Sequence, residues 1–131
     1  MKALVVDDDV TSRLVLGDAL SHFGRVDSCG DGTEAVEAGR LALNAGEPYD
    51  LICMDIMMPT MNGLEALQLI QQEEERLGRQ RTAKVIVITS SEDSSDMSQA
   101  FGRLCDAYIV KPINTTEFLD ILECVCQIDR R

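Results

Sequence analysis

The sequence predicts an α/β protein, a doubly wound parallel sheet of five strands with five helices. Short apolar runs alternate along the chain with longer amphipathic stretches, the order of elements that builds a parallel sheet with crossover helices. Three of the runs are apolar almost throughout, as strands are when helices cover both faces of the sheet. No linker, repeat or low-complexity tract interrupts the chain, so we expect a single domain over residues 1–131.

The individual elements follow from the spacing of apolar residues. Strands are predicted, in chain order, at residues 3–6, 25–28 (a weak run), 51–54, 85–88 and 108–110. Apolar residues at helical spacing predict helices at 15–23, about 33–43, from about 62, at 97–104 and from about 114. We interpret the acidic run Glu73–Glu75, in the third helix, as a solvated face.

The composition argues against several classes of function. With 12 basic and 23 acidic residues, the chain has a net charge of −11, which disfavours a nucleic-acid partner. No apolar run approaches the roughly 20 residues of a membrane span and no signal peptide is recognised, so we expect no membrane contact and a cytoplasmic location. The five cysteines form no C-x-x-C pair and there is one histidine, which favours structural thiols over a zinc site.

Polar residues directly follow four of the five predicted strands. Asp7 and Asp8 follow the first strand, Asp55 the third, Thr89 the fourth and Lys111 the fifth. Because ligands of such sheets bind beyond the carboxyl ends of the strands, these side chains are candidates for one site. Clustered carboxylates suit Mg²⁺, and a hydroxyl and an ammonium can hold phosphoryl oxygens. The set predicts metal-assisted phosphoryl transfer to an aspartate.

Two hypotheses differ in the aspartate that accepts the phosphoryl group. In the first, Asp55 is the acceptor and Asp7 and Asp8 hold the metal. In the second, the D-x-D-x-T pattern of residues 7–11 resembles haloacid-dehalogenase-type phosphatases, whose first aspartate is the nucleophile. That family carries its acidic metal ligands on a strand after its lysine, whereas the acidic residues after Lys111 lie on or beyond the last predicted helix. The first hypothesis is therefore favoured.

Several motifs, in order along the chain, carry a family resemblance. The segment MDIMMPTMNG, residues 54–63, resembles the D-x-x-M-P-x-M-D/N-G segment of response-regulator receiver domains, the CheY-like proteins. Further matches are the Val-Val-Asp-Asp run at 5–8, the Asp-Gly pair at 31–32, and residues 88–90 and 107–112. The resemblance covers the whole chain and implies a flavodoxin-like sheet of strand order 2-1-3-4-5. In that order the first and third strands are neighbours.

The resemblance also implies a phosphoryl acceptor and a set of metal ligands. Asp55 would accept the phosphoryl group. Asp8 would bind Mg²⁺ directly, and Asp7 largely through water. The backbone carbonyl of Met57 would complete the protein ligands.

Other residues receive roles from the same resemblance. Thr89 would hydrogen-bond the phosphoryl group, and Lys111 would pair with it. Tyr108 occupies the aromatic position whose rotamer is coupled to the threonine, so it is the expected switch residue. The Lys111–Pro112 peptide bond is expected to be cis, as is usual in the family. Asp9 has no metal role in the family, and we expect it to cap the first helix or face solvent.

These roles describe a stand-alone receiver domain without an output domain. The expected donors are a sensor histidine kinase or a histidine phosphotransfer protein, and the expected output is an unidentified downstream protein target. Signalling would use the surface of the fourth helix, the fifth strand and the fifth helix, on a monomer or weak dimer. The chain would be a phosphoacceptor, an enzyme only toward its own phosphorylation and dephosphorylation.

Overall fold

The computed structural model describes residues 1–56, 63–78, 83–89 and 105–127. Five strands in this part of the chain form one parallel sheet: β1 (Lys2–Val6), β2 (Arg25–Cys29), β3 (Leu51–Asp55), β4 (Lys84–Thr89) and β5 (Ala107–Val110). Their order is β2-β1-β3-β4-β5, which confirms the predicted fold class and strand order. The weak second run is a genuine strand. It lies at an edge of the sheet, where its side chains are only partly buried.

The described residues contain four helices: α1 (Val10–Ser21), α2 (Gly32–Asn44), α3 (Gly63–Arg76) and α4 (Thr115–Cys126). The helix predicted at 97–104 lies outside the described residues, so α4 is the last helix of the prediction. Asp9, Asp31 and Asn114 cap α1, α2 and α4, and each side chain accepts a hydrogen bond from a backbone N–H of the first turn. Such caps contribute about 1 kcal/mol each.

Strand alternation divides the core into two halves, one on each face of the sheet. The α1/α4 core, which packs on those two helices, takes from the strands Ala3, Val5, Leu51, Cys53, Ile86, Ile88 and Ile109. The α2/α3 core takes the intervening residues Leu4, Val6, Ile52, Met54, Val85 and Val87. Because β1, β3 and β4 serve both cores, nearly all of their residues are buried. This explains why their sequences are apolar almost throughout.

The acidic run of α3 is not wholly solvated, which corrects the prediction. Glu74 is 3% exposed, and its Oε2 accepts a hydrogen bond of 3.0 Å from the backbone N–H of Ala83. Ala83 immediately precedes β4, so this carboxylate is buried because it satisfies the backbone where the chain enters the sheet. Asp106 does the same for Val85, with 2.8 Å between its Oδ2 and the amide nitrogen.

Two further observations concern the lengths of the helices and the state of the cysteines. No helix among the described residues is long and apolar enough to cross a membrane. All five cysteines are free thiols. Burial raises the pKa of Cys53 and raises that of Cys29 to about 12. Thiols with such pKa values stay protonated at neutral pH, as expected of packing residues.

Candidate functional site

Three charged side chains reach the carboxyl end of the sheet on one face. Asp7, Asp55 and Lys111 each lie two residues beyond a strand residue of the α1/α4 core, namely Val5, Cys53 and Ile109. Residues two apart along a strand share a face of the sheet. Since β1 and β3 are hydrogen-bonded neighbours, the alternation brings Asp7 and Asp55 together, as the sequence predicted.

Asp7, Asp8 and Asp55 form a group that we call the acidic cluster. Their carboxylate oxygens lie within 4.8 Å of one another. Asp7 is fully buried and Asp55 is 4% exposed, whereas Asp8 is open to solvent. Two like charges about 4 Å apart repel by roughly 4 kcal/mol at an effective dielectric constant of 20. Such a cluster therefore needs positive charge nearby.

Lys111 supplies part of that positive charge. Its Nζ lies 3.2 Å from Asp7 Oδ2 and 3.3 Å from Asp55 Oδ2. Its backbone N–H donates to the carbonyl of Thr89 at 2.8 Å, and its peptide bond to Pro112 is cis, as predicted. Partial burial acts to lower the pKa of Lys111, but the carboxylates of Asp55 and Asp7 outweigh burial and raise the pKa above its usual value.

The acidic cluster fits a divalent cation that prefers oxygen ligands. Asp7 Oδ1 accepts a hydrogen bond of 2.9 Å from the backbone N–H of Asp9. The other oxygen, Oδ2, is buried and accepts no hydrogen bond from the described residues, although Lys111 Nζ is close to it. Three carboxylates facing one ammonium leave an excess of negative charge, which Mg²⁺ can offset while keeping some of its waters. Met57, whose carbonyl was predicted as a further ligand, lies outside the described residues.

Asp9 caps α1, which confirms the prediction that its role differs from those of Asp7 and Asp8. Its Oδ1 accepts from the Thr11 N–H at 3.1 Å, and its Oδ2 accepts from the Ser12 hydroxyl at 3.0 Å. The hydrogen bonds from Ser12 and Thr11 lower the pKa of the Asp9 carboxyl. Its charge is thus directed to the N-terminus of α1, where the helix dipole favours an anion.

The two predicted switch residues lie on adjacent strands. Thr89 is the last residue of β4 and is 2% exposed, whereas Tyr108, in β5, is 50% exposed. Val87 is paired with Tyr108 and Thr89 with Val110, so Thr89 and Tyr108 are diagonal neighbours on the same face of the sheet. Their roles in phosphoryl binding and switching stay predictions.

Two residues that support the site had no role in the sequence prediction. The Arg13 guanidinium donates from Nη1 to the backbone carbonyl of Asp7 at 2.7 Å. No sequence signal identifies such a contact, because an arginine on a helix has many possible targets. Gly63 begins α3 against β3, where an added Cβ would lie 2.5 Å from the carbonyl oxygen of Asp55. The glycine that ends the 54–63 motif was the available signal for this close approach.

A family model, a curated protein and a solved structure each match nearly the whole of this chain. The family of the response regulator receiver domain matches residues 3–123. A probable chemotaxis protein CheY of Rhizobium etli is 29% identical over 127 residues, which cover 95% of this chain and 92% of that protein. The receiver domain of the histidine kinase CKI1 from Arabidopsis thaliana, in complex with Mg²⁺ and BeF₃⁻, superposes with a TM-score of 0.80 at 26% identity, covering 97% of this chain and 90% of that one.

Other relatives are much longer. Probable histidine kinase 2 of Oryza sativa subsp. indica is 30% identical over 137 residues, which cover 97% of this chain but 13% of the kinase. The chain spans between 3% and 13% of the length of the histidine kinases among these relatives. The family match covers nearly the whole chain, and the sheet order and acidic cluster agree with it. The chain therefore belongs to the family of response regulator receiver domains of two-component signalling.

Proposed function

We propose that Asp55 accepts a phosphoryl group from a phosphohistidine, in a reaction that depends on Mg²⁺. One observation carries the proposal: Asp55 lies at the end of β3 between two further carboxylates and an ammonium, with Lys111 Nζ 3.3 Å from its Oδ2. This set can bind a metal and pair with a phosphoryl oxygen at the same place.

The residues of the site suggest how the transfer proceeds. An oxygen of the Asp55 carboxylate attacks phosphorus, and an O–P bond forms as the N–P bond of the phosphohistidine breaks. The imidazole, already protonated on its other ring nitrogen, keeps the electron pair of the N–P bond and leaves as a neutral ring. Lys111 is placed to move its ammonium from the carboxylates toward the new phosphoryl oxygens. When bound by Asp7, Asp8 and Asp55, Mg²⁺ would supply further charge neutralisation for those oxygens.

A partner side chain needs room to reach this site. An open cleft of about 500 Å³ lies beside Lys111, between the start of α1 and the chain after β5, and is lined by Asp9, Thr11, Ser12, Val15, Lys111, Pro112 and Ile113. The cleft offers space for a partner next to Lys111, and we propose that the donor is a histidine kinase or a histidine phosphotransfer protein. Relatives that are themselves histidine kinases agree with such a donor.

The proposal includes the place of the chain in signalling. The chain acts as a phosphoacceptor and as an enzyme only toward its own phosphorylation and dephosphorylation. We place it in the cytoplasm, because five free thiols suit a reducing compartment. Its output is a change in the contacts it makes with a downstream protein, with Thr89 and Tyr108 as the residues that respond.

Incubation with acetyl phosphate and MgCl₂, followed by intact mass spectrometry, tests the acceptor. We expect one phosphoryl group on the wild-type chain, none in EDTA, and none on Asp55→Asn. Asp18→Asn removes the same charge from an exposed position of α1 and should be labelled like the wild type. Labelling of Asp55→Asn at the wild-type rate would refute the assignment, as would labelling that is unaffected by EDTA.

A further inference from the structure

We infer that Arg13 is a positioning residue for Mg²⁺ binding, because its guanidinium holds the peptide group that joins Asp7 to Asp8. The inference rests on the proposed function, since it assigns a task at the same metal site. Arg13 itself is no ligand. Among the described residues its guanidinium donates to the Asp7 carbonyl and to no carboxylate.

The hydrogen bond from Arg13 to the Asp7 carbonyl lies just beyond the last residue that β1 pairs with its neighbouring strands. The ladder of β1 ends at Val6, which pairs with Cys29 on one side and with Met54 on the other. One residue later the Asp7 N–H still donates to the Cys29 carbonyl at 3.2 Å. The Asp7 carbonyl, beyond the ladder, is instead bound by Arg13 Nη1 at 2.7 Å. A hydrogen bond from a charged donor to a buried carbonyl is among the stronger ones.

The bound carbonyl controls the geometry of two carboxylates at once. It belongs to the peptide unit between Asp7 and Asp8, and a peptide unit is planar. Fixing its orientation therefore fixes the Cα of Asp8, from which the Asp8 side chain projects, relative to the buried Asp7. The Asp9 N–H holds Asp7 Oδ1 from the other side at 2.9 Å. Hydrogen bonds on both sides of Asp8 thus hold the backbone there, and this keeps the exposed Asp8 carboxylate in the acidic cluster.

The loop between β2 and α2 has a glycine, Gly30, where it faces the Arg13 guanidinium. A Cβ at Gly30 would lie 3.1 Å from Arg13 Nη1, closer than side-chain atoms ordinarily approach. Gly30 follows β2, so the loop between β2 and α2 packs directly on the arginine head group. Gly30→Ala therefore requires the guanidinium to shift by a few tenths of an ångström while keeping the arginine and its charge.

Electrostatics and positioning predict opposite signs for the loss of Arg13. Removal of a positive charge near the acidic cluster, taken alone, strengthens the attraction of Mg²⁺ to that cluster. Loss of the hydrogen bond to the Asp7 carbonyl releases the peptide unit and weakens binding. Residues that orient metal ligands typically change metal affinity by about 10–100-fold when mutated. If the loss of Arg13 weakens Mg²⁺ binding, the cause is therefore the lost hydrogen bond, because the lost charge alone would strengthen the binding.

Isothermal titration of the full chain with MgCl₂, at constant ionic strength and well below the unfolding temperature, tests the inference. We expect Arg13→Gln to weaken Mg²⁺ binding about tenfold. Arg13→Lys, which keeps the charge and can donate from its single nitrogen, should recover part of the affinity. Gly30→Ala should show a smaller loss and carries the test if Arg13→Gln does not fold. Arg40→Gln, which removes an exposed arginine of α2, is the charge-matched control and should bind Mg²⁺ as the wild type does.

The outcomes separate this inference from the proposed function. Wild-type affinity, or a higher affinity, in a folded Arg13→Gln would overturn the positioning role. Lower thermal stability of the metal-free variant with unchanged Mg²⁺ affinity would do the same, because it would make Arg13 a purely structural residue. Failure of the wild-type chain itself to bind Mg²⁺ would instead refute the Mg²⁺ site of the proposed function.

Discussion

Lys111 joins the acidic cluster to β5, so its removal tests how far stability depends on one charge. We expect Lys111→Met to lower the free energy of unfolding of the metal-free protein by about 1–3 kcal/mol, because Asp7 and Asp55 then stay buried without a counter-charge. Urea denaturation in EDTA measures this loss. Saturating MgCl₂ should reduce the difference from the wild type, since the cation replaces the missing ammonium.

The raised pKa of Lys111 also defines the pH range over which Lys111 stabilises the fold. A lysine whose folded-state pKa exceeds the unfolded value stabilises fully below the unfolded pKa of about 10.4, and loses this effect as pH rises through the folded-state pKa. The stability difference between wild type and Lys111→Met should therefore be constant from neutral pH to about pH 10 and shrink above it. Lys84→Met, which removes an exposed lysine 3.9 Å from Asp106, should cost less than about 1 kcal/mol with no Mg²⁺ dependence. Equal losses in the two variants would contradict the role of Lys111.

Single residues of the site could be predicted where a strand ends in a polar side chain. Asp7, Asp55 and Lys111 were predicted because the edge that they share follows from the parallel sheet. The targets of Arg13 and Glu74 could not be predicted, because each reaches a backbone group of another segment. The periodicity of the sequence does not show whether a long polar side chain makes a buried contact or extends into solvent.

At the scale of elements, the start of α3 packs on β3, the strand that carries Asp55. Gly63→Ala should destabilise the protein by about 1–3 kcal/mol, because its Cβ would lie 2.5 Å from the Asp55 carbonyl oxygen and the helix must shift. The same shift moves Asp55 and should slow labelling by acetyl phosphate. Thermal unfolding and the initial rate of labelling measure the two effects.

Gly17 offers a matched control within another helix. No atom lies within 4 Å of a Cβ at Gly17, in α1, apart from those of its own helix backbone and chain neighbours. Gly17→Ala should therefore stabilise the protein by about 0.5–1 kcal/mol through helix propensity and leave labelling unchanged. If Gly63→Ala behaved like Gly17→Ala, the packing of α3 on β3 would not constrain Asp55.

The helices and strands were predictable from periodicity, and their ends less so. The second helix was predicted over about 33–43 and extends over Gly32–Asn44, because the Asp31 side chain caps it one residue earlier. α1 ends at Ser21, so Phe23, predicted as its last apolar residue, packs against the α1/α4 core from beyond the helix. Caps and chain reversals decide such boundaries locally, and periodicity reports only the residues that face the core.

For the whole molecule, the class of fold followed from the pattern of the sequence, and the order of the strands did not. Alternating apolar runs and helices specify a parallel sheet, but several strand orders satisfy the same pattern. The order 2-1-3-4-5 came from the motif at 54–63 and the motifs that accompany it. This order matters for function because it makes β1 and β3 neighbours, and without that pairing the acidic cluster would not exist.

The same cluster should make the stability of the whole molecule depend on divalent cations. A chain of net charge −11 with three grouped carboxylates is under electrostatic strain when metal-free. A ligand that binds only the folded state stabilises by about 2.7 kcal/mol at a concentration of 100 times its Kd, which is roughly 10 °C in melting temperature for a domain of this size. We expect MgCl₂ to raise the melting temperature well beyond NaCl of equal ionic strength, as measured by differential scanning calorimetry.

Asp8→Asn separates specific binding from general screening of charge. Asp8 is exposed, so its replacement leaves the buried framework of the site intact. Relief of repulsion should raise the stability of the metal-free variant by about 0.5–1 kcal/mol. The stabilisation by Mg²⁺ should largely disappear, because one of the three carboxylate ligands is gone. A variant that is less stable when metal-free and still gains the full increment from MgCl₂ would show that the cation acts on the overall charge of the molecule, away from the acidic cluster.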